Sequence, residues 1–576
     1  MALRSVDAPW FGDETPASTQ VGQARVVRSA DAEAWDDSCD VLVIGCGVAG
    51  CSAALRTAED PNLSVLAVDR GEGGGASKLS GGILYLGGTR VQQECGVEDS
   101  AENLANYLHF EIGGTVRPET IERFAHQSGT MVPWLESHGV RYGGPATTDK
   151  TSYPGRSYLY FSGNEQSQAA RRVATPAQRG HRSKPPEGQD NDWAYGGQPL
   201  LTALLASMRR TPNLRLSPQT TARRLVVDEA GTVVGAELWR LAPGSAAALT
   251  HRTLLRMTRN MIATVLGLNG PLMRAIARIE RRSAKLVRVR VRRAAVLSAG
   301  GFVFNRTMMQ RCAPEFMGMA TLGTLADDGS GIKLGASVGG ATDLMDHCSA
   351  WRFLYPPVAW TKSIAVGPSG ERMVNEELYG AKTGEALFRY NGGRGWVIGD
   401  QPLHDQVQEQ RKDPELQPYM KMQLRAQMQF GLSKAPTLRA LAAKIGVPGD
   451  VLERTVETYN AAIRAGEPDA LGKSDSYRRL IETGPFYAYN ISYDSKMNPI
   501  MGVTMGGLKV DEDSGAVLGH DGNPITGLFA AGRTAVGLCS KSYVSGLSLA
   551  DGVFSGWRAA DAIKHEAAEK VPANAA

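Results

Sequence analysis

The chain is poor in cysteine and has no long apolar run. Its seven cysteines (Cys39, Cys46, Cys51, Cys95, Cys312, Cys348, Cys539) are odd in number, form no CxxC pair, and include no Cys/His group at zinc spacing. A disulfide framework and a metal centre are therefore not expected, and a reduced, cytoplasmic setting is. No stretch reaches eighteen consecutive apolar residues, which argues against a bilayer-spanning helix. Residues 1–36 are polar, with acids early and no apolar core of a secretory signal. The protein is expected to be cytoplasmic, at most peripheral on the inner face of a membrane. No internal repeat is present, which excludes a solenoid. With 42% hydrophobic and 21% charged residues, the chain is not largely disordered either.

What the chain has in excess is glycine, 66 residues in 576, about 11% against a usual ~7%. The glycines cluster in short loops, as backbone packed around a ligand requires. The net charge of +4 hides an asymmetry. Between Arg252 and Arg293 stand twelve lysines and arginines against one acid, Glu280, a net of +11, so the remainder carries −7. Within this insert Leu254, Leu255, Met261, Ile262, Val265 and Leu266 recur at helical spacing. Leu272, Met273, Ile276 and Ile279 do so again after a break at Gly267–Pro271. Two short amphipathic helices forming a basic hairpin over 250–284 are expected. No aromatic or base-reading motif accompanies the arginines, so nucleic acid is not the expected partner. Two readings stand side by side: a helical lid or oligomer contact, and an anionic membrane surface met through 252–282. On the membrane reading the hairpin should be removable without emptying a cofactor site.

The strongest motif lies near the start. Asp40-Val-Leu-Val-Ile44 reads as a buried strand running into Gly45-Cys-Gly-Val-Ala-Gly50 and a small-residue helix through Leu55. A second apolar strand, Leu63–Val68, ends at Asp69, 24 residues beyond Gly45. GxGxxG in this setting is a dinucleotide fingerprint. Gly45 permits the turn, Gly47 lets backbone N–H groups reach a pyrophosphate, and Gly50 lets helix and strand pack closely, with Val48 and Ala49 opening the helix. The helix start favours phosphate charge. Asp69, followed by Arg70, should hold ribose hydroxyls and disfavours a 2′-phosphate.

Further along, helices are expected at Glu102–Phe110, Pro118–His138 and Leu200–Arg209, long loops over 143–195, and strands at Ala222–Asp228, Val233–Trp239 and around Val287–Val291. The expected fold is α/β, a Rossmann-like dinucleotide domain with an inserted α+β substrate (capping) domain. The expected boundaries are an irregular leader 1–36, a first part 37–305 carrying the hairpin, a capping domain 306–499, a second part 500–566 and a tail 567–576.

Gly73-Gly-Gly-Ala-Ser-Lys-Leu-Ser-Gly-Gly82 just past Asp69, then Ser298-Ala-Gly-Gly-Phe302 and Gly527-Leu-Phe-Ala-Ala-Gly-Arg533, resemble in type and order the flavoprotein family of fumarate reductases, succinate dehydrogenases and 3-ketosteroid dehydrogenases. The resemblance runs from about Cys39 to Ile563, with the hairpin as an insertion. It implies FAD as cofactor, met by Ala76, Ser77, Ser80, Gly81, Gly82, Ala222, Ala299, Gly300, Gly301, Asp328, Gly532 and Arg533, with Ser548-Leu549 offering N–H groups to the flavin ring. Succinate dehydrogenases carry a flavin-linking histidine before the glycine stretch. The segment 74–82 has none, so non-covalent FAD is expected.

The departures sort the members. Gly370-Glu-Arg-Met-Val-Asn-Glu376 is similar to a fumarate reductase motif, but Gly380 stands where those enzymes have a proton-donating arginine. Val503, before Thr504, stands where they have histidine. Tyr379 and the late Lys541-Ser-Tyr-Val-Ser-Gly546 resemble the 3-ketosteroid Δ4-(5α)-dehydrogenases, as does Pro176-Ala-Gln-Arg-Gly-His181. The Tyr-Pro-Gly of the Δ1-dehydrogenases is absent at the late position. The resemblance implies Tyr379, Tyr543 and Ser545 as catalytic residues, a steroid substrate, removal of hydrogen across C4–C5 in steroid breakdown, and an external electron acceptor. A Δ1-dehydrogenase, or an ene-reductase of the fumarate type, is the alternative within the fold. A flavin-binding membrane protein with a degenerate site is the alternative outside it. Trp351, Phe353, Leu354, Tyr355 and Trp360 suit either an apolar substrate pocket or an ordinary core.

Overall fold

A computed structural model of the chain describes residues 19–150, 155–186, 196–258, 268–413, 416, 418–495 and 499–569. At its centre, strand Asp37–Ile44 ends in Val41-Leu-Val-Ile44, apolar on both faces and buried. It therefore sits inside the sheet, parallel to Val65–Val68 on one side and to Lys285–Leu297 on the other. Leu214–Ser217 extends the parallel set beyond Val65–Val68.

Lys285–Leu297 is a single thirteen-residue strand with two textures. Its first half alternates valines with arginines and pairs antiparallel with Val233–Arg240. Its second half, Ala294–Leu297, is wholly buried and pairs parallel with Pro524–Ala530, which brings the end of the chain back into the sheet. Thr220–Asp228 and Val233–Arg240 form the expected hairpin.

Helix Val48–Thr57 is built of small residues for a reason visible in its partner, the late helix Leu547–Glu569. A Cβ on Gly556 would lie 2.6 Å from the Ala49 carbonyl and 3.0 Å from Ala53 N; one on Gly552 would meet Val48 Cγ1 at 2.6 Å. The two backbones touch. The helices expected at Glu102–Phe110, Pro118–His138 and Leu200–Arg209 are found at Ala101–Ile112, Pro118–Ser137 and Gly197–Arg210.

Two expectations need correction. Part of the supposed leader is ordered into the fold: Arg25–Val27 adds an edge strand parallel to Thr220–Asp228, and the Thr19 N–H donates to Asp328 at 2.6 Å. The supposed loops of 143–195 include three strands, Ala146–Lys150, Leu159–Phe161 and Gly180–Arg182, in a four-stranded sheet with Ile83–Tyr85. These strands are short, and their one glycine is there for packing: a Cβ on Gly180 would strike Ser162 Oγ at 2.7 Å. The middle of the chain holds an antiparallel sheet, Ile364–Val366, Trp396–Gly399, Phe486–Asn490 and Leu432–Ala435, backed by helices Leu438–Ile445 and Gly449–Arg464. Residues expected as the leader's first part, the hairpin's tip and the tail's end (1–18, 259–267, 570–576) lie outside the described residues.

Candidate active site

The carboxyl ends of the parallel strands open onto one cavity of about 520 Å³, the size of a ligand pocket and in the place where open α/β sheets bind ligands. Its first wall is the glycine loop. Gly45 has φ +101° and no room for a side chain, since a Cβ would lie 2.6 Å from the Ser298 carbonyl. A Cβ on Gly47 would face only Ser77 Oγ at 3.4 Å, so that glycine keeps the wall low where a ligand approaches. On Gly50 it would fall on the Gly45 carbonyl oxygen. Gly50 is thus a packing residue behind the wall, whereas Gly45, Gly47, Val48 and Ala49 form it.

Asp69 lines the cavity and accepts from the N–H groups of Cys46 (2.9 Å), Gly71 (2.7 Å) and Gly73 (3.2 Å). A carboxylate has about four acceptor positions, so one remains for a hydroxyl. The next wall, Gly75–Ser80, includes Ala76, Ser77 and Ser80, and the Val48 N–H donates to Ser77 Oγ at 3.1 Å. Opposite stand Ala222, Ala299, Gly300, Gly532 and Arg533, and at the far end Ser548 and Leu549, in the first turn of Leu547–Glu569. First-turn N–H groups have no partner within their helix and carry partial positive charge.

Besides Gly50, four expected cofactor residues do not line the cavity. Gly81 and Gly82 pack instead on Ile83 and on the Gly196–Gly197 backbone. A side chain on Gly301 would collide with Thr504, whose hydroxyl accepts the Phe302 N–H at 2.9 Å. Asp328 is buried behind the wall, where it binds Arg70 at 3.0 Å. Its neighbour Asp327, not anticipated, is the one that lines the cavity, holding Arg533 Nη2 at 2.6 Å. Arg533 Nη1 is buried there without a hydrogen-bond partner. An acid with an acceptor position to spare, a glycine wall and two helix starts fit an extended dinucleotide such as FAD.

At the end of the cavity beside Ser548, Tyr543 and Trp351 form the wall. Their rings meet edge-on with centroids 5.1 Å apart. Tyr379 stacks beyond Tyr543 at 6.3 Å and 19° and meets Phe353 edge-on at 5.4 Å. It borders a small adjoining pocket with Phe353, Leu354 and Tyr355 rather than the large cavity. Of the five apolar candidates, Leu354 and Trp360 belong to one buried core cluster, Trp360 against Tyr489. Ser545 is buried and absent from the cavity wall; its carbonyl accepts from Ser162 Oγ at 3.0 Å. Burial raises the pKa of Tyr543, and the Tyr379 phenol adds to the shift. Tyr160, which the sequence did not single out, joins this group. Its hydroxyl is buried without a hydrogen-bond partner, and burial and then the neighbouring Tyr379 raise its pKa.

The surrounding segments hold the two tyrosines in place. The Tyr379 N–H donates to Asn164 Oδ1 at 2.7 Å, and Asn164 Nδ2 donates to the buried Glu111 at 3.1 Å. Lys382, three residues beyond Tyr379, pairs with the same carboxylate at 3.6 Å and donates to Ser542 Oγ, next to Tyr543, at 2.9 Å. Upstream, Arg372 and Lys473 bind Glu376 inside the protein, which fixes the loop leading to Tyr379. Gly380 has no space for the arginine of fumarate reductases: a Cβ would lie 2.6 Å from Phe353 Cδ1 and 3.0 Å from the Arg352 backbone.

A family model described as an FAD binding domain matches residues 40–546. The chain belongs to this family. Among relatives, it is 35% identical over 527 residues to the 3-oxo-5-alpha-steroid 4-dehydrogenase of Comamonas testosteroni, covering 89% of this chain and 96% of that one. It is 28% identical to a 3-oxosteroid 1-dehydrogenase of Mycobacterium tuberculosis, over 88% of this chain and 94% of the other. Among solved structures it resembles the 3-ketosteroid-Δ4-(5α)-dehydrogenase of Rhodococcus jostii RHA1 in complex with 4-androstene-3,17-dione. The TM-score is 0.75 and the identity 27%, covering 94% of this chain and 99% of that one. The family binds FAD. The α/β dinucleotide fold expected from the glycine motif is the fold found.

Proposed function

We propose that this member of the FAD-binding family is a 3-ketosteroid dehydrogenase that introduces a C4–C5 double bond into a saturated 3-ketosteroid. The observation that carries the reading is the stacked pair Tyr379 and Tyr543 at the Ser548 end of the cavity, with Gly380 and Val503 where fumarate chemistry needs arginine and histidine. The glycine loop, Asp69 and the first turn at Ser548 would hold FAD, which would supply the acceptor for the C5 hydride. The likeness to the Comamonas and Rhodococcus enzymes supports the C4–C5 position.

The chain's own residues supply the rest. Tyr543 polarises the 3-ketone oxygen, which makes the C4 hydrogen acidic. A phenol whose pKa is raised by burial stays protonated and remains a donor. Ser545 and Tyr379 would relay the C4 proton, each hydroxyl handing on its own proton as it accepts one and the last proton leaving to water, which requires the Ser545 hydroxyl to face the substrate. Trp351 and Phe353 provide the apolar surface for the ring system. Non-covalent FAD is part of this reading, because segment 74–82 has no histidine to link it. An external electron acceptor reoxidises the enzyme.

The outer face of the basic insert supports contact with an anionic membrane, from which a sterol-like substrate would be drawn. Arg274, Arg278, Arg281 and Arg282 are exposed there beside Met257 and Leu268. Vesicles containing anionic lipid should bind the protein, and Arg274→Gln/Arg278→Gln should weaken that binding; equal binding to zwitterionic vesicles would remove the membrane from the account.

Turnover of a 5α-3-ketosteroid with an artificial acceptor, and NMR of the product, tests the reaction. A 4-ene product is expected. A 1-ene product would make the protein a Δ1-dehydrogenase, and no product would return the site to the ene-reductases.

A further inference from the structure

The basic insert is more than a surface appendage. Its two described helices, Ala246–Thr258 and Asn269–Ser283, reach the cofactor cavity: Thr258 and Asn269 line the same cavity as Asp69, Arg70 and Thr220–Ala222. That is the end where the acid of a dinucleotide fold meets the adenosine ribose. On the inner face, Met273 and Ile276 pack with Leu325, joined by Leu254, Leu255 and Phe304; Phe304 is itself part of the cavity wall.

A polar bolt fastens this face. Glu280, the one acid of the insert, is buried and accepts from Arg70 Nε at 2.8 Å and Nη2 at 3.1 Å. It also meets His251 Nε2, from the other helix, at 3.0 Å. The far side of His251 is held by the Gln219 amide at 3.1 Å, which also donates to the Ala248 carbonyl at 2.7 Å. Arg70 completes its fork on Asp328 at 3.0 Å. One carboxylate thus ties both helices to the residue directly after Asp69. Outside, Arg252 and Arg256 pair with Glu72, three residues past Asp69. A bidentate arginine–carboxylate pair with a third partner is rigid and directional.

We propose that the helix pair is part of the FAD site, a wall over the adenosine half that slows cofactor release, with Glu280 as its positioning residue. The proposal rests on the cavity holding FAD and does not depend on which steroid is oxidised. It also corrects the expectation that the insert is separable from the cofactor: deleting 252–282 would remove two wall residues and leave Arg70 without Glu280.

The test uses the holoenzyme and its apoprotein. Glu280→Gln should release FAD at least tenfold faster on dilution, read as free-flavin fluorescence. FMN, which lacks the adenosine half, should bind the apoproteins of Glu280→Gln and the parent equally. Should Glu280→Gln fail to fold, Asn269→Ala, a wall substitution outside the bolt, should weaken FAD and spare FMN in the same way. Unchanged FAD release, or equal loss of FAD and FMN affinity, would overturn the proposal, the latter by showing a general effect on the fold. A loss of turnover at saturating FAD in the parent enzyme would instead contradict the proposed reaction.

Discussion

Tyr379 and Tyr543 come from segments 164 residues apart in the chain, yet their rings lie 6.3 Å apart and within 19° of parallel. Tyr543 lines the large cavity, and Tyr379 lies directly behind it beside Phe353, so one phenol borders the cavity and the other backs it. If the phenols act as donor and proton acceptor, each has its own signature. Tyr543→Phe should cut kcat by about 10²- to 10³-fold, the usual loss for one oxyanion-stabilising donor, with FAD still bound. Tyr379→Phe should cost about 10²- to 10⁴-fold, as for a proton-transfer group. Steady-state rates at saturating steroid, with flavin content measured alongside, check both.

The pair is held in register by Lys382, which joins Glu111 to Ser542. Lys382→Met should lower kcat roughly ten- to a hundredfold, the scale on which small misplacements of reacting groups act. Steroid KM and FAD content should hardly change, and Lys382→Arg should recover part of the rate. A variant that loses KM instead would place Lys382 in substrate binding.

Gly380 marks the split from fumarate chemistry. Gly380→Arg should not create a fumarate reductase, because its Cβ meets Phe353 and the Arg352 backbone. Overpacking of this kind costs about 1–3 kcal/mol, which a thermal melt would register as a lower midpoint. Fumarate turnover by this variant would show that the pocket is far more adaptable than its packing indicates.

Asp551, in the helix that begins beside the flavin end of the cavity, has its pKa raised by burial to about 6, with Arg558 opposing the shift. Between about pH 4 and 6 the folded protein therefore holds a proton that the unfolded chain has lost. Stability from this group is present at acid pH, falls as pH rises through that window, and is level above it. The slope amounts to on the order of 1–3 kcal/mol. Thermal midpoints of the wild type and Asp551→Asn at pH 4.5 to 7 should converge on this account to a flatter profile in the variant; an unchanged slope would rule Asp551 out.

Segments with a strong local pattern were readable from the sequence. Val41–Ile44, apolar on both faces, could only be an inner strand, and the spacing of Gly45, Gly47 and Gly50 matches the three steric tasks found at those positions. The strands Ala146–Lys150 and Leu159–Phe161 were not readable, because three to five residues among glycine, serine and proline carry no period. Yet their sheet supports the site: the Tyr85 N–H donates to the Gly546 carbonyl at 3.2 Å, just past Tyr543 and Ser545. The resemblance points to Asp328, whereas its neighbour Asp327 lines the cavity, since a motif cannot say which of two adjacent acids turns inward. Tyr160 left no local trace, as only tertiary packing brings it to the tyrosine pair. The role of Glu280, the lone acid among twelve cations, was not readable, because its partner Arg70 lies 210 residues away in the chain.

The most direct test of the account is an anaerobic titration of the yellow protein with a saturated 5α-3-ketosteroid, following the oxidised flavin band. The account predicts bleaching by the steroid, lost in Tyr543→Phe although that variant still binds FAD. A flavin that stays oxidised under steroid, but is reoxidised by an activated alkene once chemically reduced, would contradict it and make the protein a reductase.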